Sequence, residues 1–191
     1  MKVLVGVSNR HVHLTRKDLD KLFGYGYNLT KIRDLVQPGQ FACKETVTIK
    51  SFDGQIEDVR IIGPVRNYTQ VEIAKTDAIH LKINPPIRDS GDIENSEPII
   101  IIGPKGTVYK KEGCILANRH IHITPQIRTK LGLDGIDEVK IKISGDKGAI
   151  LDHVVLKVLD KANLELHLDT DDANSNLVET GDYVEVIIDK K

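Results

Sequence analysis

The sequence predicts a mainly β fold made of two related small β-barrels, capped by short α-helices. One observation is a duplicated phrase, Asn-Arg-His-aliphatic-His-aliphatic-Thr, which begins at Asn9 and begins again at Asn118. The other is a succession of short segments in which apolar and polar residues alternate between Gly, Pro, Asp and Asn, a pattern typical of strands. Because closing a sheet protects its edge strands, two such halves predict two barrels from an internal duplication.

The alternating segments are distributed along the whole chain. The expected strands are ETVTIKSF, DVRIIG, AIHLKI, EPIIIIG, GTVYKK, EVKIKIS, HVVLKV, LELHLD and DYVEVII. Residues 84–98, NPPIRDSGDIENSEP, are rich in turn-forming residues and are expected to form a connection or a binding loop.

Each copy of the duplicated phrase ends in a threonine that can begin a short helix. Thr15 is expected to N-cap RKDLDKLF, with Asp18 at the spacing of a capping box and Gly24 ending the helix. Thr124 is expected to cap PQIRTKLGL, with Pro125 at the favoured first helical position. The predicted order is a strand carrying His-x-His followed by a helix, twice.

Composition narrows the class of protein. The 191 residues fit one large domain or two small ones, and 40% of them are hydrophobic, which is sufficient for a core. Only 4% are aromatic and Trp is absent, so the core is expected to be aliphatic. The 27 basic and 28 acidic residues give a net charge of -1, which excludes a global field that recruits nucleic acid or an anionic membrane.

The cysteines and the apolar segments predict the compartment. Cys43 and Cys114 stand far apart without a C-x-x-C pair, which predicts buried free thiols rather than a disulfide framework or a zinc knuckle. No stretch approaches the roughly 20 apolar residues of a membrane span, and the chain opens without a long apolar leader. We therefore expect a cytoplasmic protein without a membrane partner.

The histidines of the duplicated phrase indicate metal-binding sites. In a strand, the side chains at i and i+2 share a face, so His11 and His13 can converge on one ion, as can His120 and His122. Zinc accepts imidazole nitrogens and needs at least one further protein ligand. The alternative is that the phrase recurs because its Asn, His and Thr make capping contacts, which accounts for the threonines better than for four histidines.

Several side chains could complete such sites. His80, His153 and His167 are the other histidines, and the alternation of LELHLD places His167 on the face opposite its leucines. Glu72 in TQVEIA likewise faces away from its apolar neighbours. Spacing alone leaves these choices open, and each residue could instead lie on a solvated strand face.

Three arginines are candidates for binding an anion. Arg66 follows a Gly-Pro turn in GPVRNYTQ, and its planar guanidinium suits bidentate capture of phosphate, although a loop arginine is often only solvated. Arg10 and Arg119 precede the two His-x-His pairs, and the sequence allows both anion binding and a surface position for them.

Five ordered motifs carry a resemblance to a known family. VGVSNRHVHLT, GPVRNYTQVEI, IRDSGDI, NRHIHIT and DTDDANS together resemble the PduL family of phosphate acyltransferases, over nearly the whole chain. The resemblance implies interconversion of a short-chain acyl-coenzyme A, propanoyl or acetyl, plus phosphate with acyl phosphate plus coenzyme A. It also implies two zinc ions per chain at the junction of two β-barrels, and a context such as propanediol degradation.

The same resemblance assigns residues. It implies that one zinc is held by His11, His13 and Glu72. The other zinc would be held by His120, His122 and His167. Arg66 would bind phosphate, and Ser90 in IRDSGD would lie in a loop that contacts coenzyme A. Neither cysteine is expected to be a nucleophile, since direct displacement needs no acyl-enzyme.

The resemblance also implies how the chain is organised. One barrel domain would be discontinuous, formed by residues 1–9 plus 118–191, and the other would be formed by residues 10–117. Family members packaged in microcompartments carry an N-terminal targeting extension, whereas only four residues precede VGVSNRHVHL here, so a free cytoplasmic enzyme is expected. A homodimer and metabolic coupling to an acyl kinase are further expectations.

Two rival functions remain open at this point. A dizinc hydrolase would direct metal-bound hydroxide rather than phosphate at a thioester or phosphoester. A non-catalytic, zinc-stabilised binding module would have closed metal sites without an exchangeable position.

Overall fold

The computed structural model describes residues 1–188 and is mainly β, as the sequence predicts. In chain order, the elements are β1 (Lys2–Ser8), β2 (His11–His13), α1 (Arg16–Phe23), β3 (Lys31–Asp34), β4 (Phe41–Lys50), β5 (Gln55–Gly63), β6 (Gln70–Glu72), α2 (Lys75–Leu81), β7 (Ile87–Arg88), β8 (Glu97–Ile102), β9 (Thr107–Ala117), β10 (His120–Ile123), α3 (Pro125–Lys130), β11 (Glu138–Lys142), β12 (Ile150–Val158), β13 (Glu165–Asp169), α4 (Thr170–Asn176) and β14 (Tyr183–Ile187).

The chain divides into two compact units. The first unit contains Met1–Ser8, Val36–Pro38 and residues 118–188 of the described chain. The second contains Asn9–Leu35 and Gly39–Ala117.

The first unit is a closed six-stranded barrel in the order β1-β13-β10-β12-β11-β14. Strand β1 runs parallel to β13, and β10 runs parallel to β12. The remaining neighbours are antiparallel. Its buried core is formed by Val, Ile and Leu side chains contributed by all six strands, which confirms the aliphatic core expected from the composition.

The second unit closes in the same pattern. Strands β4, β5, β2, β6, β9 and β8 form a ring in which β2/β5 and β6/β9 are the parallel pairs. Strand β3 adds to β4, and β7 adds to β9. Because the order of parallel and antiparallel neighbours matches, β2 corresponds to β10, and β6 corresponds to β13. The two barrels therefore bear out the duplication inferred from the repeated phrase.

The two helices that follow the repeated phrase begin at the predicted threonines. Thr15 accepts a hydrogen bond from the backbone N–H of Asp18, and α1 ends at Gly24, whose φ of 107° suits glycine. Thr124 caps α3 through the backbone N–H of Ile127. The capping box is not formed as predicted: the backbone N–H of Thr15 is bound by the Thr69 hydroxyl at 3.0 Å.

One expected strand is wrong. AIHLKI does not form a strand, because its first four residues belong to helix α2. Asp77, Ala78 and Leu81 are buried at helical spacing, so one face of this segment packs inward while His80 is exposed. The carboxylate of Asp77 accepts a hydrogen bond from the backbone N–H of Ala74 at 3.3 Å, which favours the start of a helix.

Within residues 1–188, none of the four helices combines the length and the apolar composition that a membrane crossing requires.

The cap of α1 provides a stability prediction. Thr15→Ala removes the acceptor for the backbone N–H of Asp18 and should lower the free energy of unfolding by about 1 kcal/mol. The urea midpoint should fall without a change in the slope of the transition. Thr15→Ser keeps the hydroxyl and is the matched control. Equal midpoints for the alanine and serine variants would contradict the capping role.

Candidate metal centres

The first unit gathers three histidines on adjacent strands. Ile121 and Ile123 of β10 point into the barrel core, so His120 and His122 share the opposite face. The antiparallel register pairs His120 with His167 of β13. The Nε2 atoms of His120 and His122 lie 3.0 Å apart, and one ring nitrogen from each of the three histidines lies within 4.8 Å of the others.

The second unit builds an equivalent group with one carboxylate. The register of β2 and β6 pairs His11 with Glu72 and His13 with Gln70. The Glu72 carboxylate lies 3.6 Å from His11 Nε2 and 3.9 Å from His13 Nε2. Thus the third ligand implied for each site occupies the same strand position, opposite the first histidine of its pair.

Backbone carbonyls orient the first histidine of each pair. His11 Nδ1 lies 2.9 Å from the carbonyl oxygen of Asn9, and His120 Nδ1 lies 2.8 Å from that of Asn118. A neutral imidazole that donates from Nδ1 presents the lone pair of Nε2, which is how proteins commonly fix a metal-binding tautomer. The sequence did not reveal this role, since a carbonyl can come from any residue at that position.

The donor atoms suit zinc. A tetrahedral zinc with bonds of roughly 2.0 to 2.1 Å places its ligand atoms about 3.3 Å apart. The observed separations of 3.0 Å, 3.6 Å and 3.9 Å lie around that value. Each group supplies three nitrogen or oxygen donors, which is the number typical of a site that keeps a position open for substrate.

Burial and neighbouring charges favour the neutral form of the His13 imidazole. This imidazole is buried, and burial holds its pKa well below the ordinary value for histidine. The charges of His11 and Arg66 lower the pKa in the same direction, while Glu72 opposes them. The neutral form is the one that can bind a cation.

Arg66 lies in this electrostatic environment and is held by several contacts. Its backbone N–H donates to the carbonyl of Leu14. Leu14 lies two residues after Val12 of β2. Its guanidinium donates to the Tyr68 hydroxyl at 2.8 Å and to the Gln40 side-chain oxygen at 3.4 Å. These contacts leave guanidinium hydrogens for an anion, because the group carries five N–H donors.

Ser90 contacts a metal-ligand candidate. Its hydroxyl donates to the Glu72 carboxylate at 2.7 Å, and Gln70 donates to both Ser90 and Glu72. The loop singled out in the sequence therefore reaches the second-unit group, with Ser90 orienting the carboxylate.

The arginines that precede the histidines are ion-paired. Arg10 binds Asp77 of α2 at 3.0 Å, and Arg119 binds Asp172 of α4 at 3.2 Å. Each arginine thereby ties the start of its histidine strand to the helix that follows the third ligand candidate. The sequence left anion binding and a surface position open for these arginines, and the structure shows both of them paired with carboxylates.

The remaining histidines lie outside both groups. His80 is exposed on α2, with Nε2 3.2 Å from the carbonyl of Gln55. His153 is exposed on β12 and pairs with Glu138 at 2.9 Å. Of the alternatives that spacing left open, His167 and Glu72 are the ones that lie beside a histidine pair in the described part of the chain.

Comparison with known proteins identifies the family. A family model described as phosphate propanoyltransferase matches residues 4–179. The chain belongs to this family. Its membership confirms the resemblance inferred from the five motifs and makes the chain an acyltransferase.

Several phosphate propanoyltransferases are close relatives. That of Thermotoga maritima is 52% identical, over 97% of this chain and 89% of its own length. That of Priestia megaterium is 52% identical, over 94% of this chain and 83% of its own length. That of Rhodopseudomonas palustris is 43% identical, over 97% of this chain and 82% of its own length. The similarity to the family thus extends across both barrels.

For a member of this transferase family, the cysteines are poorly suited to nucleophilic attack. Both are buried. Burial, together with the charge of Glu45, raises the pKa of Cys43 to about 11. Burial also raises the pKa of Cys114, and the charges of Glu97 and Asp77 add to this effect. At pH 8 only about one Cys43 thiol in a thousand would be a thiolate.

Thiol labelling tests this assignment. In the native protein at pH 8, Cys43 and Cys114 should react with a chromogenic disulfide far more slowly than a free cysteine, and both should react at once in denaturant. Rapid labelling of one thiol in the folded chain, with parallel loss of activity, would contradict the view that no cysteine takes part in catalysis.

Proposed function

We propose that the chain transfers a short acyl group, propanoyl or acetyl, between coenzyme A and inorganic phosphate, with one zinc bound by each donor group. The observation that carries this proposal is the pair of three-donor groups in a member of the phosphate propanoyltransferase family. Both groups have the same strand framework and differ only in the identity of the third donor. Relatives named phosphate propanoyltransferase support the substrate class.

The two strand registers support the proposed ligands. His11, His13 and Glu72 would hold one zinc. The other zinc would be held by His120, His122 and His167. Bound zinc would supply a Lewis acid for an acyl or phosphate oxygen, and it is also a suitable partner for the departing thiolate.

Arg66 would position phosphate. The Tyr68 hydroxyl and the Gln40 side chain hold the guanidinium, so less side-chain entropy is lost when an anion binds. A guanidinium can make two parallel hydrogen bonds to phosphate, which both orients the nucleophile and offsets its charge. A phosphate oxygen would then form the new C–O bond while the C–S bond breaks and coenzyme A leaves as the thiolate.

The loop around Ser90 would contact coenzyme A near this site. The contact of Ser90 with Glu72 gives the loop a second task, because the hydroxyl fixes the carboxylate that we propose as a zinc ligand. Cytoplasmic location, a homodimer and coupling to an acyl kinase stay predictions.

A thiol-release assay tests the proposed activity. Purified protein should release coenzyme A from propanoyl- or acetyl-coenzyme A only when phosphate is present, with stoichiometric formation of acyl phosphate. Release without phosphate would instead show a hydrolase, in which hydroxide attacks the thioester. No turnover, together with unfolding on chelation, would show a zinc-stabilised binding module.

A further inference from the structure

Each third ligand candidate has a buried polar neighbour two residues earlier on the same strand face. Gln70 precedes Glu72 on β6, and Glu165 precedes His167 on β13. The registers pair Gln70 with His13 and Glu165 with His122, so the two neighbours occupy equivalent positions in the two barrels. Both are almost fully buried, with relative exposures of 0% and 3%.

Glu165 is fixed against His167. Its carboxylate lies 2.8 Å from His167 Nε2 and accepts a hydrogen bond from the Gln37 amide at 2.7 Å. Gln37 is itself held by the backbone of Asn163. Gly6 faces this carboxylate, and a Cβ at that position would lie 2.6 Å from Glu165 Oε1. The contacts with His167 and Gln37, and the space that Gly6 leaves, therefore hold the carboxylate beside the histidine.

Gln70 makes corresponding contacts without a charge. Its amide donates to Glu72 and to the hydroxyl of Ser90, and its oxygen accepts from the backbone N–H of Gly91. In one barrel the strand thus reads Gln-x-Glu, and in the other it reads Glu-x-His. Each site has one carboxylate and one neutral side chain at these two positions, with the order exchanged.

We propose that Glu165 is a positioning residue for the three-histidine site: it orients His167 and supplies the single negative charge that Glu72 supplies as a direct ligand in the other barrel. This inference rests on the proposed binding of zinc. Three neutral imidazoles leave both charges of a buried dication uncompensated, whereas an adjacent carboxylate offsets one of them. A carboxylate that is hydrogen-bonded to a ligating histidine also fixes the tautomer of that histidine and raises its basicity.

Zinc affinity tests the role of Glu165. In a competition titration with a chromophoric chelator, Glu165→Gln should weaken one of the two zinc sites about 10- to 100-fold and leave the other unchanged. Glu138→Gln is the matched control, because Glu138 also pairs with a histidine but on the exposed surface. Unchanged affinity at both sites of folded Glu165→Gln protein would overturn the proposal.

A double variant separates charge placement from structural support. The double variant Glu165→Gln/His167→Glu gives β13 the Gln-x-Glu arrangement of β6. This double variant should recover most of the zinc affinity that is lost in the single variant Glu165→Gln. A merely structural role for Glu165 predicts no recovery, and a folded double variant that holds only one zinc would overturn the proposal. If the single variant does not fold, the number of zinc ions that the folded double variant binds decides whether the proposal holds.

The native protein distinguishes this inference from the proposed function. A native chain that binds no zinc removes the basis of both. A native chain that binds two zinc ions, with an unaffected Glu165→Gln variant, overturns only the role of Glu165.

Discussion

Replacing His120 with alanine should remove one of two zinc equivalents and lower the kcat/KM for phosphate-dependent release of coenzyme A by about 1,000-fold. His120 contributes a donor atom 3.0 Å from that of His122, so its loss leaves the first-unit group with only two donors. Zinc held by the three histidines would act as a Lewis acid worth several kcal/mol, which corresponds to a factor of this size. Elemental analysis and the thiol-release assay measure the two effects on the same sample.

His153→Ala is the control for this experiment. His153 lies in the same unit but is exposed and pairs with the surface carboxylate of Glu138, so its loss should leave zinc content and turnover unchanged. The second-unit group, built on β2 and β6, should also keep its zinc in the His120→Ala protein. Full activity of a His120→Ala chain that has lost a zinc would contradict the proposed role of the three-histidine site.

Arg66→Lys should impair the use of phosphate more than the use of acyl-coenzyme A. Lysine keeps the positive charge but cannot make two parallel hydrogen bonds to an oxyanion. Losing such a contact, worth about 2 to 3 kcal/mol, should lower the efficiency with phosphate roughly 30- to 150-fold. Steady-state kinetics in which each substrate is varied separately measure the difference. The melting temperature should change little, because Arg66 lies outside the buried core.

The control for Arg66 is Arg33→Lys in the same unit. Arg33 is exposed on β3, so this variant should behave as the native protein with both substrates. An Arg66→Lys enzyme that folds, keeps its zinc and uses phosphate with unchanged efficiency would contradict the assignment of phosphate binding to Arg66.

The sequence predicted the fold class because two signals agreed. The repeated phrase indicated a duplication, and the alternation of apolar and polar residues marked most strands of both barrels. Helix α2 was missed because the last residues of TDAIHLKI alternate over too short a stretch to separate a strand from a single amphipathic turn. The short strands β3 and β7 gave no comparable periodic signal, since they depend on pairing with β4 and β9.

The sequence indicated the histidine pairs but could not choose their partners. His-x-His is a local pattern, whereas the pairing of His120 with His167 depends on a strand register between distant segments. The family resemblance supplied that choice. Alternation places Glu165 on the face of His167, but its contact with Gln37 was not recognised, because a hydrogen bond between residues so far apart in sequence leaves no local pattern. Arg10 and Arg119 became interpretable only once their partners on α2 and α4 were known.

A zinc titration of metal-free protein tests the two-centre account most directly. Phosphate-dependent release of coenzyme A should be absent without metal, rise as zinc is added, and reach its plateau at two equivalents per chain, matching the two donor groups. Full phosphate-dependent turnover by a folded chain that contains no divalent metal would contradict the account.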